Sequence, residues 1–189
     1  RIGKAIKGQR ENIIIATKSH ARTKEGVEKD LKLSLERLGV DYIDLYQFHG
    51  VSDMKSLDIV LDPEGPMSVV EKAKKEGIIR HIGITSHQID VAKKAVQSDR
   101  FETIMFPFNF IASEAEKDLL PLARQHDVGF IAMKPLAGGM VDRAKVLALG
   151  RRYPGGATAL TFAAAIGSAA CWVRCRWPKR AVTPPTCAT

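Results

Sequence analysis

The feature that most constrains this chain is a strand-then-helix alternation. Short apolar or β-branched runs begin near residues 12, 42, 79, 103 and 128. A helical stripe separates each from the next. The clearest is Thr23–Leu38, where Val27, Leu31, Leu35 and Leu38 share one face, with Thr23 placed as N-cap and Gly39 as a C-terminal stop. Strands joined through helices pair in parallel, by right-handed crossovers. Two α/β architectures satisfy that rule: a doubly wound open sheet and a (β/α)8 TIM barrel. The open sheet is expected to carry a glycine-rich fingerprint after its first strand, and no GxGxxG occurs anywhere. The barrel is therefore the expected fold. A complete barrel takes about 250 residues and this chain has 189. It also starts at Arg1. The expectation is a partial barrel of about five parallel strands in a fragment or processed chain.

The remaining elements follow from local pattern. Residues 1–8 read as the end of a helix stopped by Gly8. Asn12–Lys18 (NIIIATK), Tyr42–Phe48, Ile79–Thr85, Thr103–Phe108 and Val128–Met133 read as strands. Residues 50–66 read as a polar loop containing Pro63, Gly65 and Pro66. Met67–Glu76, Gln88–Gln97 and Ser113–His126 read as helices. In the last, Ser113 and Glu116 have capping-box spacing, and Pro121 predicts a kink or a later start.

The net charge of +8 invites a nucleic-acid reading, and its distribution argues against one. Up to Asp142 the chain has 21 basic and 21 acidic residues; from Arg143 on it has eight basic and no acidic ones. The body is neutral, and the basic tail lacks the basic-aromatic spacing of a binding face. All three cysteines, Cys171, Cys175 and Cys187, lie in that tail. They make no disulfide framework, and Cys171-x3-Cys175 without a nearby histidine predicts no metal site. The cysteine-free body suits a reducing, cytoplasmic compartment. No apolar run approaches the ~18 residues of a membrane span, and no charged-then-apolar leader opens the chain. Periodicity stops near residue 166. The expected organisation is a barrel portion over 1–165 and an irregular segment over 166–189, either an out-of-frame translation or a disordered basic tail.

Chemistry is expected where strands end, because parallel α/β proteins place it at the carboxyl edge. Lys18 ends one strand and His49 ends the next. Along the second strand, Ile43, Leu45, Gln47 and His49 share one face; Tyr42, Asp44, Tyr46 and Phe48 share the other. If the two strands are neighbours, about 4.8 Å apart, a cation and an imidazole converge at one mouth.

These segments resemble the aldo-keto reductases. IIIATK ends at Lys18, SLERLGVDYIDLYQFH ends at His49, and HIGITSH, MFPFN and IAMKPLAGG follow in order, covering about residues 1–165. The wording GITSH, MFPFNF and AMKPLAGG looks like the branch whose longer members carry a C-terminal iron–sulphur extension, which this chain lacks. The resemblance implies reduction of a small-molecule carbonyl by hydride from NADPH or NADH. It implies that His49 orients the carbonyl through a hydrogen bond, and that Lys18 lowers the pKa of a tyrosine proton donor. In the family that tyrosine and an aspartate lie upstream, in a segment not found here. Tyr42 and Tyr46 face away from His49 and are poor substitutes.

For the cofactor, the resemblance implies Thr85 and Ser86 at the carboxamide and Met105 at the next strand. It puts Met133 against the ring, and Lys134, Leu136, Gly138 and Gly139 at the pyrophosphate. Thr85-Ser86, Met105 and Met133 stand where Ser-Asn, glutamine and tyrosine are usual. His87, beside Ser86, is a candidate to reach substrate or cofactor, whereas His20, His81 and His126 have structural readings. Two other readings stay open: a Schiff-base enzyme using Lys18 or Lys134, and a non-catalytic nicotinamide-binding module.

Overall fold

The protein is described by a computed structural model covering residues 2–109 and 113–135. Five strands form one sheet: β1 (Ala16–Ser19), β2 (Ile43–Phe48), β3 (Ile79–Thr85), β4 (Thr103–Pro107) and β5 (Gly129–Met133). Their spatial order is the chain order, and every neighbouring pair is parallel. A doubly wound sheet reverses direction at a switch point; a barrel adds each strand beside the last. The five strands and their helices are therefore part of a (β/α)8 barrel.

The helices are α1 (Ile2–Ala5), α2 (Lys24–Leu38), α3 (Met54–Leu61), α4 (Pro66–Lys75), α5 (Ile89–Gln97) and α6 (Leu119–Gln125). The start and stop of α2 are the expected ones. Thr23 accepts the Gly26 N–H, and Gly39 closes the helix at φ 66°, a left-handed conformation that glycine adopts without a Cβ penalty. Outward-facing strand residues Tyr46, Phe48, Ile82, Ile84, Ile104, Phe106, Phe130 and Ala132 form the core with Val27, Leu31, Val70 and Ala92 from the helices. Phe48 meets Phe101 edge to face, with centroids 6.3 Å apart.

Four boundaries differ from expectation. β1 starts at Ala16, not Asn12. Arg10–Asn12 is a 3-10 turn, and ahead of the ladder side chains hold Ile13 O and the Ile15 N–H, while Ile15 O accepts the backbone N–H groups of Asp44 and Leu45 in β2. The Arg10 guanidinium donates to Ile13 O, and Ile15 N–H donates to the Asp44 carboxylate. The expected polar loop 50–66 contains α3. Asp53 caps it by accepting the Ser56 N–H, while Leu57 and Val60 are buried. α6 begins at Leu119, so Pro121 falls in its first turn, where no N–H is needed. Ser113 makes no side-chain cap, so the expected capping box is not formed; a 3-10 turn over Glu114–Glu116 takes its place. The expected 166–189 segment, with its cysteines, lies outside the described residues.

At the amino edge, Asp44 collects Arg10 at 2.7 Å, Arg80 at 3.0 Å and the Ile15 N–H at 2.8 Å. Both guanidinium groups also lie over the Tyr42 ring, 3.7 and 3.9 Å from its centroid. This knot holds the starts of β1, β2 and β3 together. The registry of these strands determines what meets at the other edge.

Candidate active site

The site is built by registry. Lys18 pairs with Gln47, Gln47 with Gly83, Gly83 with Thr103, and Thr103 with Gly129. Paired residues in a parallel sheet point to the same side, so this rung crosses the concave face of all five strands. The next rung towards the carboxyl edge pairs Thr85 with Met105 and Met105 with Ile131; above it Pro107 pairs with Met133. Lys18, Thr85, Met105 and Met133 thus share one face with Gln47, and His49 follows Gln47 by two residues. The His49 N–H donates to Ser19 O at 2.8 Å, joining the strand ends that carry Lys18 and His49.

Close packing sets the floor of this face. A Cβ on Gly83 would collide with Oγ1 of Thr103 and approach Gln47 Cγ at 3.1 Å and Leu45 Cδ1 at 3.2 Å. Glycine is the residue that fits this position. Gln47 Nε2 and Thr103 Oγ1 are buried there without a hydrogen-bond partner among the described residues.

The loops above the strands are tied to one another. Thr85 is fully buried, and its hydroxyl accepts the Gly50 N–H at 2.8 Å. Ser86 is also fully buried; its hydroxyl donates to Gln88 O and accepts the Gln88 N–H. Ser86 N–H donates to Met105 O, so the end of β3 is secured to β4. Met105 and Met133 are half-buried, and Lys134 is exposed at φ 54° with its carbonyl accepting from Asn109. Leu136, Gly138 and Gly139 lie outside the described residues.

His49 sits among basic groups. Burial lowers its pKa below the ordinary 6.5, and His20, Lys18, Arg22 and His87 lower it further by repulsion. The neutral imidazole, with one N–H donor, is thereby favoured. His87 is lowered by burial and then by Lys134. Tyr46, on the opposite face of β2, is fully buried and its pKa is pushed up to about 12. Burial is the main cause; Ser19 opposes it and the Asp30 charge adds to it. Its hydroxyl is closed off from the concave face, in keeping with the alternation read from sequence.

His20 is the residue whose surroundings sequence reasoning missed. It follows β1 in a loop, and its ring rests on His49 with centroids 4.0 Å apart. Arg22 donates to the carbonyls of His20 at 3.0 Å and His49 at 2.8 Å, clamping the two loops. The available signal was position: His20 and His49 each directly follow a strand, and β1 and β2 are neighbours. By contrast, His81 meets Glu102 at the amino edge, and His126 at the end of α6 meets Asp99 at 2.8 Å, both as structural contacts.

This fold has relatives among known proteins. The description of the Aldo/keto reductase family matches residues 1–158. The chain belongs to the aldo/keto reductase family of oxidoreductases. It is 33% identical over 152 residues to the uncharacterized oxidoreductase YqkF of Bacillus subtilis, covering 74% of this chain and 47% of that one. It is 29% identical over 136 residues to the NADH-specific methylglyoxal reductase of Escherichia coli, covering 71% of this chain and 40% of that one. Among solved structures, the holo form of aldo-keto reductase AKR11C1 from Bacillus halodurans superimposes with a TM-score of 0.66 at 33% identity, over 75% of this chain and 48% of that one. The chain spans about half the length or less of these relatives. No helix among the described residues is long and apolar enough to cross a membrane.

Proposed function

We propose that the chain forms part of an NAD(P)H-dependent carbonyl reductase acting on a small molecule in a reducing, cytoplasmic setting. The observation that carries the reading is the juxtaposition at one mouth: Lys18 near the end of β1 and His49 just after β2 lie at the carboxyl edge of adjacent parallel strands, with His49 held towards its neutral, donating form. A neutral imidazole N–H aimed at a carbonyl oxygen orients it and stabilises the charge that develops there. Lys18 adds a positive field beside the same oxygen and favours the anionic form of a neighbouring proton donor.

The residues present suit a nicotinamide cofactor. Met105 and Met133, half-buried on β4 and β5, offer an apolar surface for a planar ring. Thr85 and Ser86 shape the turn beside it, and Lys134 supplies a cation for phosphate; the assignment of Leu136, Gly138 and Gly139 to the pyrophosphate rests on the sequence resemblance. When bound, the cofactor supplies the hydride that reduces the carbonyl carbon. Both NADPH and NADH suit this description. The GITSH, MFPFNF and AMKPLAGG wording supports the branch with an iron–sulphur extension; a cluster would belong to that extension and not to the described residues.

The Schiff-base reading has no comparable support. Such a lysine is activated by desolvation, and Lys18 and Lys134 are both exposed. The binding-module reading has one favourable observation: among the described residues, Tyr46 faces away from His49 and Tyr42 is stacked with arginines at the amino edge. We infer that these residues alone bind cofactor and substrate but turn over poorly, since general acid catalysis contributes about 10²–10⁴-fold.

Reduced-nicotinamide fluorescence titrated with the 189-residue chain tests binding; a saturable change below about 1 mM is expected. No change with either NADPH or NADH sinks the cofactor reading. Carbonyl-dependent oxidation of NADPH by this chain, equal to that of a version extended to the relatives' length, would overturn the inference of poor turnover. In the extended version, His49→Ala is expected to lower turnover by about 10²-fold or more.

A further inference from the structure

We propose that His20 selects a carbonyl ligand bearing a carboxylate, and that Arg22 is the positioning residue holding His20 against His49 for this purpose. The inference rests on reading His49 as the group that orients the carbonyl. Four observations converge on it.

The first is the pair itself. The two rings lie 4.0 Å apart at a tilt of 36°. Neither ring has a hydrogen-bond partner among the described residues, so each keeps a donor for a ligand. A 2-oxo acid presents its ketone and carboxylate oxygens side by side, which suits two neighbouring imidazoles.

The second is that the loop carrying His20 is built rather than loose. Ser19 is buried; its hydroxyl bonds to Asp30 of α2 and accepts the Ala21 N–H. Arg22 then donates to His20 O, to Ala21 O at 3.2 Å and to His49 O. The guanidinium bridges the ends of two strands and leaves little freedom between the rings that follow them.

The third is the space made for the ring. Gly50 has φ 64°, and a Cβ there would stand 3.4 Å from Cε1 of His20. The His20 ring therefore lies over the backbone of the β2–α3 loop, and the left-handed conformation there favours glycine.

The fourth is the sign of the charge. The groups acting on His49 are Lys18 and His20 from the β1 end, Arg22 from the following loop, and His87 from the β3 end. All are basic. The acid that acts on Arg22 is Asp53, which is engaged in capping α3 through Ser56. A mouth lined this way favours an anion, and hydrogen bonds to a charged oxygen are about twice as strong as neutral ones.

Histidine ring signals of the 189-residue chain, followed by NMR without cofactor, test this. Pyruvate is the probe; acetone and inorganic phosphate are the comparisons. His81 and His126, held by Glu102 and Asp99 at other positions, report whether the fold is intact. Pyruvate is expected to move the His20 and His49 signals saturably, about tenfold or more tighter than acetone, a difference of about 1.4 kcal/mol. His20→Phe keeps a ring on His49 without its nitrogens. It should remove that preference, so that pyruvate and acetone act alike within the variant, while His20→Gln, which keeps a donor, retains more of it. Arg22→Gln should weaken pyruvate with His81 and His126 unmoved.

Equal responses to acetone and pyruvate overturn the proposal. So does a phosphate response equal to that of pyruvate in both wild type and His20→Phe, which would mean unspecific anion attraction. Because no cofactor is present, failure of nicotinamide binding leaves this result standing. Failure here with cofactor binding intact removes the carboxylate selection alone.

Discussion

Replacing Asp44 with asparagine tests whether the amino-edge knot sets the registry of the site. The carboxylate side chain is 8% exposed and accepts from Arg10, Arg80 and the Ile15 N–H. The asparagine amide keeps the shape but loses the charge and turns an NH2 towards a guanidinium. Breaking a buried ion pair costs about 3–5 kcal/mol. Arg80 is 49% exposed, so its share is discounted to that of a surface pair, below about 1 kcal/mol. Arg10, 16% exposed, and the buried Ile15 N–H carry most of the rest. A loss of about 2–4 kcal/mol is expected, a large part of a total stability of about 5–15 kcal/mol. In urea, with m about 2 kcal/mol/M, the midpoint should fall by about 1–2 M at unchanged m. Asp44→Ala, which also strands the Ile15 N–H, should lose at least as much. A change below about 0.5 kcal/mol in both variants would show that the knot is a surface arrangement. The registry between Lys18 and Gln47 would then need another origin.

Two further predictions follow from the concave face and the mouth. Gly83→Ala should destabilise by about 1–3 kcal/mol through overpacking, and adding Thr103→Ala should recover part of this because the colliding Oγ1 has no partner to lose; strictly additive urea midpoints in the double variant would refute the contact. His49 and His87 have pKa values lowered below 6.5 in the fold. Between their folded and unfolded values the unfolded chain binds more protons, so stability should fall as pH drops below about 6.5. A His49→Gln/His87→Gln variant should show a flatter urea-midpoint profile from about pH 7 to pH 5 than wild type, and an identical slope would count against the lowered values.

The repeating periods were legible in the sequence because they are local. The apolar stripe of α2, its Thr23 cap and its Gly39 stop depend on neighbours three or four residues away. The same is true of the alternation along β2, which turns Tyr46 from the face that follows His49. The strand order was legible through crossovers, which leave a parallel sheet few topologies. The α3 helix was less legible: its Asp53–Ser56 cap was present in the sequence, but two prolines and a glycine nearby outweighed it. The start of β1 was not legible at all. Three consecutive isoleucines read as strand, whereas in the fold Arg10 takes Ile13 O, the Asp44 carboxylate takes the Ile15 N–H, and Ile15 O alone meets the backbone of β2 among these bonds.

The site divides in the same way. Sequence alone put Lys18 and His49 within a residue of the carboxyl ends of successive strands, which run to Ser19 and Phe48, because residue type and period mark where a strand stops. It did not reveal that His20 rests on His49, that Arg22 joins their carbonyls, or that the Thr85 hydroxyl meets the Gly50 backbone. Those contacts join loops after different strands, and a loop carries no period from which its neighbours can be counted. The tertiary structure decided them, through the parallel registry that brings the ends of β1, β2 and β3 side by side.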